Sequence, residues 1–97
     1  MQKYDVPFIL DQNKPVEFPD FTIEYLGDRK VNTPKYVHKY FVYSDYKITS
    51  GDLDTIVSWS SGAGELSPLE FSVRGKIFSF QPWGINHKHK EISIKVL

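Results

Sequence analysis

The 97-residue chain contains no cysteine, which excludes disulfide bonds, thiolate zinc sites and cysteine nucleophiles. It also has no apolar run near the roughly 20 residues that a helix needs to cross a bilayer, so membrane insertion is not expected. The start, MQKYD, lacks the basic segment and apolar core of a signal peptide. We therefore expect either a cytoplasmic protein or the mature part of an exported one.

The chain also lacks a net charge at pH 7: its 12 basic side chains equal its 12 acidic ones in number, so the formal net charge is zero. Nucleic-acid-binding surfaces are basic, so nucleic acid is not an expected partner. The charges nevertheless alternate in blocks, with a net count of −4 over 1–28, +4 over 29–48, −4 over 49–73 and +4 over 74–97. Antiparallel strands would bring opposite blocks together within the chain. The alternative is self-association, or binding of a charged protein partner, through a dipolar surface.

Aromatic and β-branched side chains are plentiful, and their clearest pattern is a β-hairpin from Leu69 to Phe80. A two-residue turn at Arg74-Gly75 pairs Val73 with Lys76, Phe71 with Phe78 and Leu69 with Phe80. This register puts Leu69, Phe71, Phe78 and Phe80 on one buried face. It puts Glu70, Ser72 and Ser79 on the other face.

Further short strands follow from alternation and from turn residues. They are predicted at 16–18, 21–26, 54–60 and 91–96, with an apolar run at 7–10. Gly27-Asp28 is expected to end the strand at 21–26, a five-residue link at 49–53 suits a hairpin, and Ile92, Ile94 and Val96 are expected to face inward. About seven strands and no convincing helix predict a single all-β domain over 1–97, an antiparallel β-sandwich that is immunoglobulin-like or a small barrel.

Residues 36–48 fit two descriptions. As a strand, the segment places Tyr36, His38, Tyr40, Val42, Ser44, Tyr46 and Ile48 on one face. As a helix, it would begin with Thr33-Pro34 and stop at Gly51. The tyrosine, valine and isoleucine content, without alanine, leucine or glutamate, favours the strand.

Candidate chemistry is sparse. His87 and His89 could hold a metal with His38 or a carboxylate, which would suit a metal-dependent enzyme, but the flanking Lys88 and Lys90 favour an exposed basic loop. The glycine-containing segment at 60–64 lacks the lysine and the following helix of a phosphate loop. Since the sequence shows no nucleophile with a base and no acid–base pair, we expect a protein that is not an enzyme and needs no cofactor.

A binding function rests on two turn-like segments. The first is Gly62-Ala63-Gly64, and the second is Pro82-Trp83, where a large aromatic side chain sits in a turn and is hard to bury in a sheet. Because Leu69 and Phe80 pair, the two segments should lie side by side at one edge of the domain. Gly62, Ala63, Gly64, Pro82 and Trp83 are therefore the predicted contact residues of a protein-binding module.

Three segments also follow one another as Asn32-Thr33-Pro34, Gly62-Ala63-Gly64 and Gln81-Pro82-Trp83, with a final strand from Glu91. This order resembles the N-P-T-T-G, G-x-G-G and R-P-W motifs of chagasin-like inhibitors of papain-type cysteine proteases, which are immunoglobulin-like β domains. The first motif lacks its threonine pair and glycine, Glu65 stands at the last glycine of the second, and Gln81 replaces the arginine. The resemblance implies an inhibitor that contacts a protease through three loops.

Overall fold

The computed structural model describes residues 1–32, 40–60, 68–81 and 89–97. These residues form nine strands and no helix, which confirms the all-β prediction. The strands are β1 (Phe8–Asp11), β2 (Val16–Glu17), β3 (Thr22–Asn32), β4 (Tyr40–Ser50), β5 (Leu53–Ser60), β6 (Leu69–Val73), β7 (Lys76–Phe80), β8 (His89–Ile92) and β9 (Lys95–Val96). None of the described residues belongs to a helix that could span a membrane.

The strands pack as a β-sandwich in which every strand pairing is antiparallel. One layer is the sheet β2-β3-β4-β5. The other contains the pair β1-β8 and the sheet β6-β7-β9. Since β8 and β9 are separated only by Ser93 and Ile94, the last part of the chain connects these two smaller sheets.

The hairpin of β6 and β7 has the predicted register in full, from the Val73–Lys76 pair to the Leu69–Phe80 pair. Arg74 and Gly75 have φ angles of 50° and 81°, the two positive values that a type I′ turn requires. The predicted exposure of Ser79 is wrong, because this side chain is only 2% exposed. It lies on the central strand directly between Glu70 and Lys95, whose longer side chains flank it.

The predicted end of a strand at Gly27-Asp28 is also wrong, since β3 continues to Asn32. The strand passes through a β-bulge: Tyr25 pairs with Tyr46 and Gly27 pairs with Asp45, which leaves Leu26 as the extra residue. Gly27 has a φ of 117°, a value that side-chain-bearing residues rarely adopt. The glycine therefore bends the strand instead of ending it.

The segment that fitted both a strand and a helix is a strand over its described part, 40–48, and residues 36–39 lie outside the described residues. Ser44, Tyr46 and Ile48, which the strand description places on one face, are all buried. The link to β5 is shorter than the predicted five residues, because only Gly51 and Asp52 separate the strands. β4 pairs with β3 and β5, so both of its edges are satisfied by ladder hydrogen bonds.

The predicted single strand at 91–96 is divided into β8 and β9. Ile92 and Ile94 are buried as predicted, but Val96 is 46% exposed. The reason is the change of partner: β8 pairs with β1, whereas β9 pairs with β7 as an edge strand. Inward alternation therefore does not extend to the end of the chain.

Part of the hydrophobic core is a cluster of aromatic side chains that contact one another. Phe78 is fully buried, with ring-centroid distances of 4.9 Å to Phe21, 5.4 Å to Tyr4 and 5.6 Å to Phe71. Phe18 stacks on Phe21 at 5.0 Å. The aromatic content of the sequence thus serves mainly to join the two layers.

Opposite charge blocks meet inside the chain, as the sequence predicted. Among the described residues, three ion pairs join such blocks: Lys47–Asp54 at 3.7 Å, Lys76–Asp20 at 3.4 Å and Lys90–Asp28 at 3.6 Å. Association with other molecules through the blocks stays a prediction.

Candidate functional site

The tight turns identify one end of the sandwich, which we call the turn end. A Cβ atom placed on Gly51 would lie 3.2 Å from a guanidinium nitrogen of Arg74, so the β4–β5 and β6–β7 turns are neighbours. The Ser50 hydroxyl donates a 2.8 Å hydrogen bond to the Asp20 carbonyl, which brings the β2–β3 turn to the same place. A shallow groove of about 270 Å³ lies among these turns.

The other ends of the same strands form what we call the loop end. The strand termini there are Asn32, Tyr40, Ser60, Leu69, Phe80 and His89. Asn32 pairs with Tyr40, Tyr43 pairs with Ser60, and Leu69 pairs with Phe80, so these described strand ends lie at the same end of the sandwich. This follows from the antiparallel order of the sheets.

The five predicted contact residues, Gly62, Ala63, Gly64, Pro82 and Trp83, lie outside the described residues. Their role stays a prediction. Their flanking strands are described, and the pairing of Leu69 with Phe80 agrees with the expected start points of both segments.

The predicted metal ligands are mostly outside the described residues as well, since His38 and His87 fall in undescribed segments. His89 is the first residue of β8 and pairs with Asp11, so it belongs to a strand and not to a loop. Within the described parts of the chain, no group of three or more His, Asp or Glu side chains could hold a metal ion. The metal-dependent alternative is untested.

A buried polar cluster just below the loop end was not foreseen. At its centre is Asp28, whose Oδ1 accepts hydrogen bonds from the hydroxyls of Tyr25 (2.5 Å) and Ser44 (2.6 Å). Its Oδ2 lies 3.6 Å from Nζ of Lys90. We call these four residues the Asp28 cluster. It joins β3, β4 and β8, three strands that run directly to the loop end.

The β-bulge explains why Asp28 points inward. In a regular strand, the buried Tyr25 would put residue 27 on the inner face and residue 28 on the outer one. The extra residue, Leu26, reverses this alternation, so Asp28 pairs with the buried Ser44. The Gln12 amide supports the bulge by donating a 3.2 Å hydrogen bond to the Leu26 carbonyl.

Lys90 corrects the prediction of an exposed basic loop, because it is only 5% exposed. It pairs with the buried Leu10 on the inner face of the β1–β8 pair, and its Nζ lies 5.7 Å from the centroid of the Tyr25 ring. A buried ammonium is tolerated only beside a counter-charge, which Asp28 supplies. The contact of Lys90 with both Asp28 and Tyr25 connects the two layers of the sandwich.

The electrostatics favour protonated tyrosines around this cluster. Burial raises the pKa of Tyr25, and the hydrogen bond to Asp28 and its negative charge raise it further. Burial likewise raises the pKa of Tyr46, and the negative charges of Asp28 and Asp45 raise it further. Asp28 already accepts hydrogen bonds from two hydroxyls and lies beside an ammonium group. These contacts favour a structural role, in which the cluster holds the strands together, over proton transfer.

The Tyr46 hydroxyl is buried and has no hydrogen-bond partner among the described residues, since the Ser44 hydroxyl donates to Asp28. Tyr46→Phe removes an unsatisfied polar atom, and we expect the free energy of unfolding to rise by about 1 kcal/mol. The matched control, Tyr25→Phe, removes a hydroxyl that donates to Asp28, so it should lower the same quantity by about 1–2 kcal/mol. Urea titrations of both variants provide the measurement, and equal losses would contradict the assignment of Tyr46.

The Gly27-Asp28 pair is the sequence signal for the Asp28 cluster, although the pair by itself predicts a turn. An isolated glycine within a strand pattern also indicates a bulge. Lys90 gave no signal, because a buried lysine is recognised only from its partner.

In three comparisons, the chain matches no protein-family model, no curated protein and no solved structure.

Proposed function

We propose that this chain is a non-enzymatic protein-binding domain that contacts its partner with the segments at the loop end. Gly62, Ala63 and Gly64 would contribute backbone contacts, and Trp83, preceded by Pro82, would supply the main apolar anchor. A tryptophan that contributes such an anchor typically accounts for a large part of the binding free energy.

The observation that carries the proposal is the common starting point of the connections at one end of the sandwich. The Leu69–Phe80 pair brings together the strands that lead to residues 62–64 and 82–83. The Asp28 cluster links β3, β4 and β8, whose ends also lie at the loop end. A rigid base of this kind suits contact loops, because a pre-organised surface loses less entropy on binding.

The test is affinity capture from the cells that produce the protein, followed by calorimetry with the purified partner. We expect Trp83→Ala to weaken binding at least about tenfold, since loss of a central aromatic anchor commonly costs 2 kcal/mol or more. Ile77→Ala is the matched control, because Ile77 is an exposed apolar residue next to the turn end. A partner that binds the Trp83 variant normally but loses affinity for the Ile77 variant would contradict the proposal.

A second candidate function is inhibition of a papain-type cysteine protease. It is favoured by the strand directions: β3, β5 and β7 each lead to the loop end just before one of the three motif-like segments at 32–34, 62–64 and 81–83. Papain assayed with a fluorogenic peptide should then lose activity at micromolar concentrations of the chain. The Trp83→Ala variant should leave papain active at the same concentrations. Full papain activity at these concentrations would remove this candidate while leaving other protein partners open.

A further inference from the structure

The outer edge of β5 differs from the other sheet edges. Among the described strands, β5 pairs only with β4, and it is eight residues long. The other edge strands of the described sheets are shorter, with two residues in β2 and β9, four in β1 and β8, and five in β6. A long edge strand is a template for a further strand, because alternate N–H and C=O groups face away from its neighbour.

The β4–β5 turn determines which backbone groups face outward. Only Gly51 and Asp52 separate the paired residues Ser50 and Leu53, and Gly51 has a φ of 56°, as in a type II′ hairpin. In such a two-residue hairpin, the pair that flanks the loop is a hydrogen-bonded pair. The N–H and C=O groups of Leu53, and of every second residue after it, therefore face β4. Those of the residues between them, at 54, 56 and 58, face outward.

The side chains at these positions do not block pairing. Natural edge strands are commonly protected by lysine, proline or a bulge, and Asp54–Ser58 contains none of these. Asp54, its only charged residue, already has an ion pair with Lys47. Ile56, in the middle of the segment, is 60% exposed.

We propose that a second copy of this chain pairs antiparallel with β5 about a two-fold axis at Ile56. In this register, each outward-facing residue of Asp54–Ser58 in one copy pairs with an outward-facing residue of the other copy. Ile56 pairs with Ile56, and Asp54 pairs with Ser58. It forms about six backbone hydrogen bonds, which is the full capacity of the three outward residues in each copy.

The side chains favour the same register. Two Ile56 side chains meet on the outer face and are removed from water together. A two-fold axis at Asp54 would instead place two carboxylates opposite each other, which is unfavourable in a sheet. The product is one continuous sheet of eight strands built from the four-stranded layers of both copies.

The decisive experiment is sedimentation velocity over a concentration series. The wild-type chain should form dimers at about 100 µM, and Ile56→Glu should weaken dimerisation at least about tenfold. The variant should fold, because residue 56 is exposed and pairs with Lys47, an opposite charge for the new glutamate. Ile77→Glu is the matched control on a strand with partners on both sides, and it should dimerise like the wild type.

A charge-swap experiment tests the position of the two-fold axis. Ile56→Glu and Ile56→Lys chains should each be monomeric alone and should form a heterodimer when mixed, because the axis brings the two side chains together. A wild-type chain that stays monomeric to about 1 mM would overturn the proposal. So would equal effects of the glutamate at positions 56 and 77, or mixed charge variants that stay apart. None of these outcomes bears on binding at the loop end.

Discussion

Asp28→Asn should lower the free energy of unfolding by about 3 kcal/mol, an effect expected when a buried ion pair loses one partner. Asparagine has nearly the same shape and retains an oxygen for the hydroxyls of Tyr25 and Ser44. The main change is therefore the loss of the negative charge that faces the buried Lys90 ammonium. Urea unfolding monitored by circular dichroism provides the measurement.

The double variant Asp28→Asn, Lys90→Met isolates the contribution of the charge pair. Removal of both charges should recover roughly 2 kcal/mol relative to Asp28→Asn alone, because no uncompensated charge stays buried. Asp45→Asn is the matched control: Asp45 has a 2.9 Å ion pair with the half-exposed Arg29, and its loss should cost about 1 kcal/mol or less. A smaller loss for Asp28→Asn than for Asp45→Asn would show that the Asp28 cluster does not stabilise the fold.

Phe78→Ala should lower the free energy of unfolding by about 3–5 kcal/mol, the range for truncation of a fully buried phenylalanine. The phenyl ring is surrounded by Tyr4, Phe21 and Phe71, so its removal leaves a cavity between the layers. These neighbours come from three different parts of the chain, which limits how far the site can collapse.

The control for this prediction is the adjacent residue of the same strand. Ile77 is 45% exposed on the opposite face of β7, and Ile77→Ala should cost less than about 1 kcal/mol. Both variants can be compared by thermal and urea unfolding. Comparable losses at positions 77 and 78 would contradict the assignment of the two faces of β7.

Predictability from the sequence was highest where the information was local. The β6–β7 hairpin has a two-residue turn between alternating segments, so its turn residues and its apolar pattern specify the same register. The alternation also grouped Ser44, Tyr46 and Ile48 on one face of β4, and all three are buried. Errors arose at Ser79 and Val96, where exposure depends on which strand lies alongside.

The Asp28 cluster shows why part of the candidate site could not be predicted. Its existence requires a bulge that turns Asp28 inward, a tyrosine and a serine on the buried faces of β3 and β4, and a lysine about 60 residues later in the chain. Asp28 and Lys90 each resemble ordinary surface residues when they are considered alone. Only their convergence distinguishes them.

The sequence by itself determined the all-β class, the strand pattern and the absence of thiol chemistry, because alternation, turn residues and composition act over a few neighbouring positions. The tertiary structure decided which strands are edges, where the chain changes sheets and which charges are buried. These features depend on contacts between residues far apart in sequence, as for Asp28 with Lys90 and for β1 with β8. Long-range pairing of this kind leaves no periodic signal in a single sequence.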